Sequence, residues 1–146
     1  MHDLRVQVAR DKILQIYFLG GLSDEDKLAV LDLSIGLILP SHLRSEAFGL
    51  SLVEASMRGK PMICCELGTG TSYVNLDGET GIVVPPNDPV ALASAMKFLW
   101  TDAEEVSRLG FNARRRYTEN FTAERMVRSY VQLYKSMLYP MDRPRN

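Results

Sequence analysis

Two glutamates stand eight residues apart, Glu46 and Glu54, with Phe48-Gly49 between them. A Pro40-Ser41 break lies just upstream and Gly59-Lys60-Pro61 just downstream. The apolar run 35–39 reads as a strand that ends at Pro40, so a loop carries Glu46. Gly49 lets the backbone turn tightly into a helix over residues 50–58. The start of such a helix presents unpaired N–H groups and the positive end of the dipole, which suits an anion such as a diphosphate. Glu46 then lies in the loop above the helix mouth, and Glu54 lies one turn beyond Leu50. A carboxylate on each side of a phosphate site fits a ligand with hydroxyls at both ends of a diphosphate, which is a nucleotide-sugar.

The elements that must position these residues alternate between strand and helix, which predicts a parallel α/β sheet. Residues 2–11 read as a short helix and 13–19 as the first strand. Ser23 caps a second helix whose first turn is acidic, and that helix turns Leu28, Leu31 and Val30 inward. The run 35–39 has no polar alternation, as in a strand covered on both faces. Residues 61–65 form the third strand and 82–84 the last, with a short helix between them capped by Thr71 or Ser72. From Asp88 onward the chain reads as helical. Pro89 sits at the first turn of one helix, with Leu92, Ala95, Met96 and Leu99 at helical spacing. A second helix runs from Ala103 to about Asn120, with Gly110 as a weak point. Thr122 caps a third, whose Met126, Tyr130, Leu133, Tyr134 and Met137 form a buried stripe. Residues 1–139 therefore make one domain and 140–146 a frayed tail.

Composition narrows the function. The chain has 146 residues, 46% hydrophobic and 24% charged, which is ordinary for a soluble globular domain. A net charge of −1 offers no electrostatic case for nucleic acid. No apolar run approaches the ~20 residues needed to span a bilayer, and the N-terminus has no apolar signal-peptide core. The two cysteines are neighbours, Cys64 and Cys65. In a strand they point to opposite faces and do not pair, so they read as core thiols of a cytoplasmic protein. No metal site is suggested, because the carboxylates lack clustered His or Cys partners.

The Glu46–Glu54 spacing, set among Phe18-Leu-Gly-Gly, Leu39-Pro-Ser, Glu54-Ala-Ser-Met-Arg-Gly-Lys-Pro, Gly78-Glu-Thr-Gly-Ile-Val-Val-Pro and Asn112-Ala-Arg, resembles the E-x7-E region of family 4 (group 1) retaining glycosyltransferases with the GT-B fold. The resemblance covers residues 14 to 138. It implies the C-terminal half of a GT-B nucleotide-sugar-binding domain, a partial Rossmann-like sheet with C-terminal helices. In that family two further βα units open the domain, an acceptor-binding domain precedes it, and the first βα unit carries an Arg and a Lys that hold the diphosphate. No Arg or Lys here lies at the matching position.

The resemblance also assigns roles. Glu46 is the catalytic-site acceptor for donor-sugar hydroxyls, with Phe48 and Gly49. Leu50 and Ser51 offer backbone N–H groups to the phosphates, and Glu54 takes the ribose hydroxyls. Leu22 and Ser23 stand where base contacts occur, with Lys27 beside them. His42 and Arg44 read as cleft-rim residues. Gly68-Thr-Gly-Thr either shapes the cleft or is a plain turn. Arg114, Arg115 and Arg116 read as a solvated helix face rather than a membrane contact.

The segments 43–49 and 66–75 look like the subgroup that transfers mannose or rhamnose in bacterial surface-polysaccharide assembly. That implies a GDP-sugar donor, a glycan or lipid-linked acceptor, no metal requirement, and a cytoplasmic enzyme at the inner face of the plasma membrane. Two other readings stand beside it: a nucleotide-binding module with no turnover of its own, and a GT-B sugar epimerase, against which the Glu46/Glu54 spacing argues. A sheet lacking its first strands also leaves an edge open, so self-association through 13–19 or 35–39, or a rearranged N-terminal helix covering the edge, is expected.

Overall fold

The computed structural model describes residues 2–138; the expected tail at 140–146 lies outside the described residues. The elements run α1 (His2–Arg10), α2 (Asp24–Leu33), β1 (Leu37–Leu39), α3 (Leu50–Met57), β2 (Met62–Cys65), α4 (Thr71–Val74), β3 (Gly81–Val84), α5 (Pro89–Thr101), α6 (Ala103–Asn120) and α7 (Ala123–Leu138). The three strands form a parallel sheet in the order β1-β2-β3. Leu37 pairs with Met62, and Met62 pairs in turn with Gly81.

The central strand explains the apolar run at 61–65. All four residues of β2 are buried, and alternate side chains enter opposite layers. Met62 and Cys64 join Leu31, Leu52, Ala55, Val74 and Ala113 on one face. Ile63 and Cys65 join Leu67, Val84, Ala95, Leu99 and Leu109 on the other. Each fully buried aliphatic side chain contributes roughly 1.5–3 kcal/mol. The two cysteines are therefore free and face different layers. Burial pushes the Cys64 thiol up to about 11, so it stays protonated and unreactive at neutral pH.

A polar stitch joins β2 to β3 beneath this core. Asn75 and Thr80 are fully buried. The Asn75 amide donates to the carbonyls of Met62 (3.3 Å) and Ile82 (3.2 Å), and Thr80 Oγ1 donates to Asn75 Oδ1 at 3.0 Å. The Leu76 N–H in turn reaches Thr80 Oγ1 at 2.8 Å. This network accounts for the Thr80-Gly81 pair. A Cβ at Gly81 would lie 2.0 Å from the Met62 carbonyl oxygen.

Five expectations need correction. Residues 13–19 form no strand; a strand requires a neighbour for its backbone groups, and this segment has none in the described sheet. Gly110 is no weak point, since α6 runs unbroken through it. Its missing side chain lets the helix approach the loop after α3, where a Cβ would sit 2.3 Å from the Gly59 carbonyl oxygen. The α7 stripe is not buried: Met126, Tyr130, Leu133, Tyr134 and Met137 are all more than half exposed, because no described element packs on that face. Val30 and Met96 also face outward, and Gly70, not Thr71 or Ser72, caps α4.

Two measurements check this architecture. Asn75→Ala removes the amide donors to two strand carbonyls and the acceptor of Thr80 Oγ1, so unfolding should cost about 2 kcal/mol less than in the parent; an unchanged melting temperature would contradict the stitch. Sedimentation of the 146-residue chain should show species above monomer mass. In the described sheet β1 is an outer strand, and Leu14, Tyr17 and Leu19 lie exposed nearby in the chain. A strict monomer at micromolar concentration would overturn that expectation.

Candidate functional site

Each strand of a parallel sheet points the same way, so the loops after β1, β2 and β3 gather at one edge. Glu46, Phe48 and Gly49 lie in the loop after β1. The 66–70 loop follows β2 and meets it: the Gly70 N–H donates to the Ala47 carbonyl at 2.8 Å. Glu66 orders this second loop by accepting from the Gly68 N–H (2.8 Å) and Ser72 Oγ (3.0 Å). Helix α2 precedes β1 and runs back against it, which brings its N-terminus to the same edge. Ligands in open α/β sheets bind at this carboxyl edge.

The start of α3 is built differently from the other long helices. Ser23, Asp88 and Asp102 cap α2, α5 and α6 with side-chain oxygens. α3 has Gly49 at its N-cap, no side-chain cap and no acid in its first turn. The Leu50 and Ser51 N–H groups have no partner among the described residues. Gly49 is required there, with φ +80° and Leu52 Cδ1 only 2.8 Å from where a Cβ would be. Its own N–H donates to Glu46 Oε1 at 3.0 Å. Glu46 is thus anchored at the helix mouth by one oxygen.

Glu54 does not pair with Arg58. Arg58 instead grips Asp32 on α2, donating from Nε at 2.7 Å, and this holds the Asp32 carboxyl below its ordinary range. Glu54 Oε1 accepts from Lys27 Nζ at 2.8 Å, with both side chains about one third exposed. Lys27 also reaches Asp24 Oδ1 at 3.1 Å. Hydrogen bonding, first to Glu54 and then to Asp24, raises the Lys27 ammonium above its usual value. Sequence reasoning placed Lys27 near the base-binding turn; the fold places it on Glu54.

The remaining candidates divide. Leu22 is exposed at the turn before α2. The Ser23 hydroxyl is occupied within its own cap, accepting from the Asp26 N–H and donating to Asp26 Oδ2 at 2.7 Å. Phe48 meets Phe121 edge-on with centroids 6.2 Å apart. Arg116 lies over the Phe121 and Tyr73 rings and donates to the Val74 carbonyl at 3.3 Å. Arg114 donates to the Met57 carbonyl at the end of α3. Two of the three consecutive arginines therefore hold the fold together. His42 lines a hollow of about 240 Å³ with Ser41, Leu43, Ser45 and Glu46. It also lines a cavity of about 350 Å³ between the strand ends and the start of α5. Arg44 leans toward the Gly68 carbonyl at 3.4 Å.

The arrangement is a helix mouth with open N–H donors, bracketed by two partly buried carboxylates, at the carboxyl edge of a parallel sheet. Residues 8–116 match the family described as Glycosyl transferases group 1. The chain belongs to that family, and its α/β architecture is that of GT-B glycosyltransferases. It is 52% identical over 121 residues to the D-rhamnosyltransferase WbpZ of Pseudomonas aeruginosa, covering 83% of this chain and 32% of that protein. It is 46% identical over 136 residues to O-antigen chain mannosyltransferase C of Escherichia coli, covering 93% and 37%. Among solved structures, sucrose-phosphate synthase from Thermosynechococcus elongatus superposes with a TM-score of 0.85 at 27% identity, covering 95% of this chain and 34% of that one. The chain spans about a third of the length of these curated relatives.

Gly49→Ala tests the helix mouth. A left-handed Ala costs about 1–2 kcal/mol, and the contact with Leu52 adds overpacking of about 1–3 kcal/mol. A marked fall in melting temperature is expected, and a parent-like value would show that the turn relaxes freely.

Proposed function

We propose that this chain is the donor-binding part of a retaining hexosyltransferase. The enzyme transfers mannose or a related hexose from a nucleotide-diphosphate sugar to a glycan or lipid-linked acceptor in lipopolysaccharide assembly. The observation that carries this reading is the uncapped start of α3 between Glu46 and Glu54. The diphosphate lies at the Leu50 and Ser51 N–H groups, where the helix dipole favours negative charge. Glu46 accepts hydrogen bonds from the sugar hydroxyls, and Glu54 accepts them from the ribose. Leu22 and the backbone beside Ser23 border the base. The names of the two relatives, a D-rhamnosyltransferase and an O-antigen chain mannosyltransferase, support mannose or a related hexose, and hence a GDP-sugar donor.

In mechanistic terms this part binds and orients. Holding the donor's anomeric carbon at the cleft and placing dipoles toward the departing diphosphate lower the barrier by positioning and electrostatics. No metal is needed in this reading, because the helix N-terminus and cations from the rest of the enzyme meet the phosphate charge. Among the described residues no helix is long and apolar enough to cross a membrane. The enzyme works in the cytoplasm at the inner face of the plasma membrane, where lipid-linked acceptors are presented.

Two results test the reading. Glu54→Gln in the intact enzyme should raise the donor KM by about tenfold or more, since hydrogen bonds to a charged acceptor are worth roughly 1.5–3 kcal/mol. Glu54→Asp should raise it less. An unchanged KM would make Glu54 a surface acid. The isolated 146-residue chain should bind nucleotide weakly and transfer no sugar, because an exposed helix terminus offers only about 0.3–1 kcal/mol. Robust turnover by the isolated chain would relocate catalysis to residues not named above.

A further inference from the structure

Resting on the donor-binding reading, we propose that Lys27 is a positioning residue for nucleotide recognition: it fixes one carboxylate oxygen of Glu54 so that the other faces a ribose diol. Lys27 Nζ holds Glu54 Oε1 at 2.8 Å, and Glu54 Oε2 has no protein partner among the described residues. An unheld glutamate side chain samples several rotamers, and ordering it on binding costs free energy that the ion pair has already offset. The competing cation one helical turn away, Arg58, is committed to Asp32. Among the described residues Lys27 is therefore the one side-chain cation that orients Glu54.

A structural role alone does not account for the pair. Helix α2 is held against α3 independently at its other end. There Asp32 pairs with Arg58, and Lys60 Nζ accepts no bond but donates two, to the Asp32 carbonyl at 2.7 Å and the Ser34 carbonyl at 2.8 Å. Leu31 is buried in the core between them. Surface ion pairs are individually weak, so losing Lys27 leaves these anchors in place. What it removes is the link from the first turn of α2 to the Glu54 carboxylate.

The test is the ratio of affinities for a ribonucleotide and its 2′,3′-dideoxy analogue. It is read by ligand-observed NMR titration of the 146-residue chain with GDP, dideoxy-GDP and the matching uridine pair. The parent should prefer the ribonucleotide of the bound pair by about tenfold or more. Lys27→Met should cut that preference to about threefold or less, while Lys27→Arg keeps most of it and both variants melt close to the parent. Adding Lys27→Met to Glu54→Gln should cost no further discrimination, because the two residues act as one unit. If Lys27→Met lowers both affinities equally and leaves the ratio unchanged, Lys27 is a general cation and the proposal is wrong. If Glu54→Gln erases the ratio while Lys27→Met does not, the positioning role fails and the donor-binding reading survives. If the parent binds none of the four nucleotides, or Glu54→Gln leaves the ratio intact, both fall together. Should Lys27→Met fold poorly, Lys27→Gln reports the same ratio.

Discussion

The left-handed turn at Gly49 decides where everything else at the carboxyl edge can sit. It places the first residue of α3 directly after the loop from β1, with Leu39 and Leu52 closing the space a side chain would need. A residue with a hydroxyl or carboxylate could cap this helix as Ser23 and Asp102 cap theirs. Glycine cannot, so the dipole end and two N–H groups are left for something else. The same turn brings the Gly49 N–H onto Glu46 and thereby fixes the loop above the mouth. One backbone conformation thus creates the donor set and anchors one of its two flanking acids.

Helix α3 carries the consequences through the molecule. Its buried face, Leu52, Ala55 and Ser56, fixes its rotation against the sheet, and that rotation turns Glu54 toward α2. Its end is held from two directions, by Arg114 on the Met57 carbonyl and by Gly110 closing on Gly59. Cations at a helix C-terminus oppose the negative end of the dipole, so the stabilising charges collect at one end and the open donors at the other. Phe48 extends the frame sideways through Phe121 to the aromatic and arginine cluster at the junction of α6 and α7.

Local chemistry was legible in the sequence wherever a residue's type dictates its backbone or its layer. The break at Pro40, the Gly49 turn, the Ser23 cap and the helix start at Pro89 each follow from one residue. The alternation of strands and helices specifies a parallel α/β sheet. What stayed hidden depends on partners distant in the chain. Residues 13–19 have the β-rich composition of a strand, yet composition cannot supply the neighbour that a strand must bond. The α7 stripe has the helical period of a buried face, but period reports only that a face is apolar, not that something covers it. Glu54 and Arg58 are correctly spaced for an i,i+4 pair. Nothing local reveals that Asp32, 26 residues earlier, takes the arginine. For the same reason the Lys27–Glu54 contact, which spans 27 residues, appears only once the helices are packed. Nor does anything local reveal that Asn75 and Thr80 form the buried stitch between strands.

The distribution of cations completes the physical account of the site. Arg58, Lys60, Arg114 and Arg116 all spend their donors on carboxylates or carbonyls of the fold. At the carboxyl edge this leaves, among the described residues, Lys27, already paired with Glu54 and Asp24, and Arg44, which donates to the Gly68 carbonyl. A diphosphate there would meet two carboxylates and little free positive charge from this chain. Exposed N–H groups and a helix dipole attract an anion but do not neutralise it, and the two glutamates repel it unless their own charge is balanced. The Lys27–Glu54 pair removes half of that repulsion, while the Glu46 bond to Gly49 draws the other carboxylate onto a donor. Toward the nucleotide-sugar proposed above, such a site would favour the hydroxyl-bearing ends over the phosphates. In the reading proposed above, ribose and hexose would be met by acceptor geometry, and most of the phosphate charge by cations other than these.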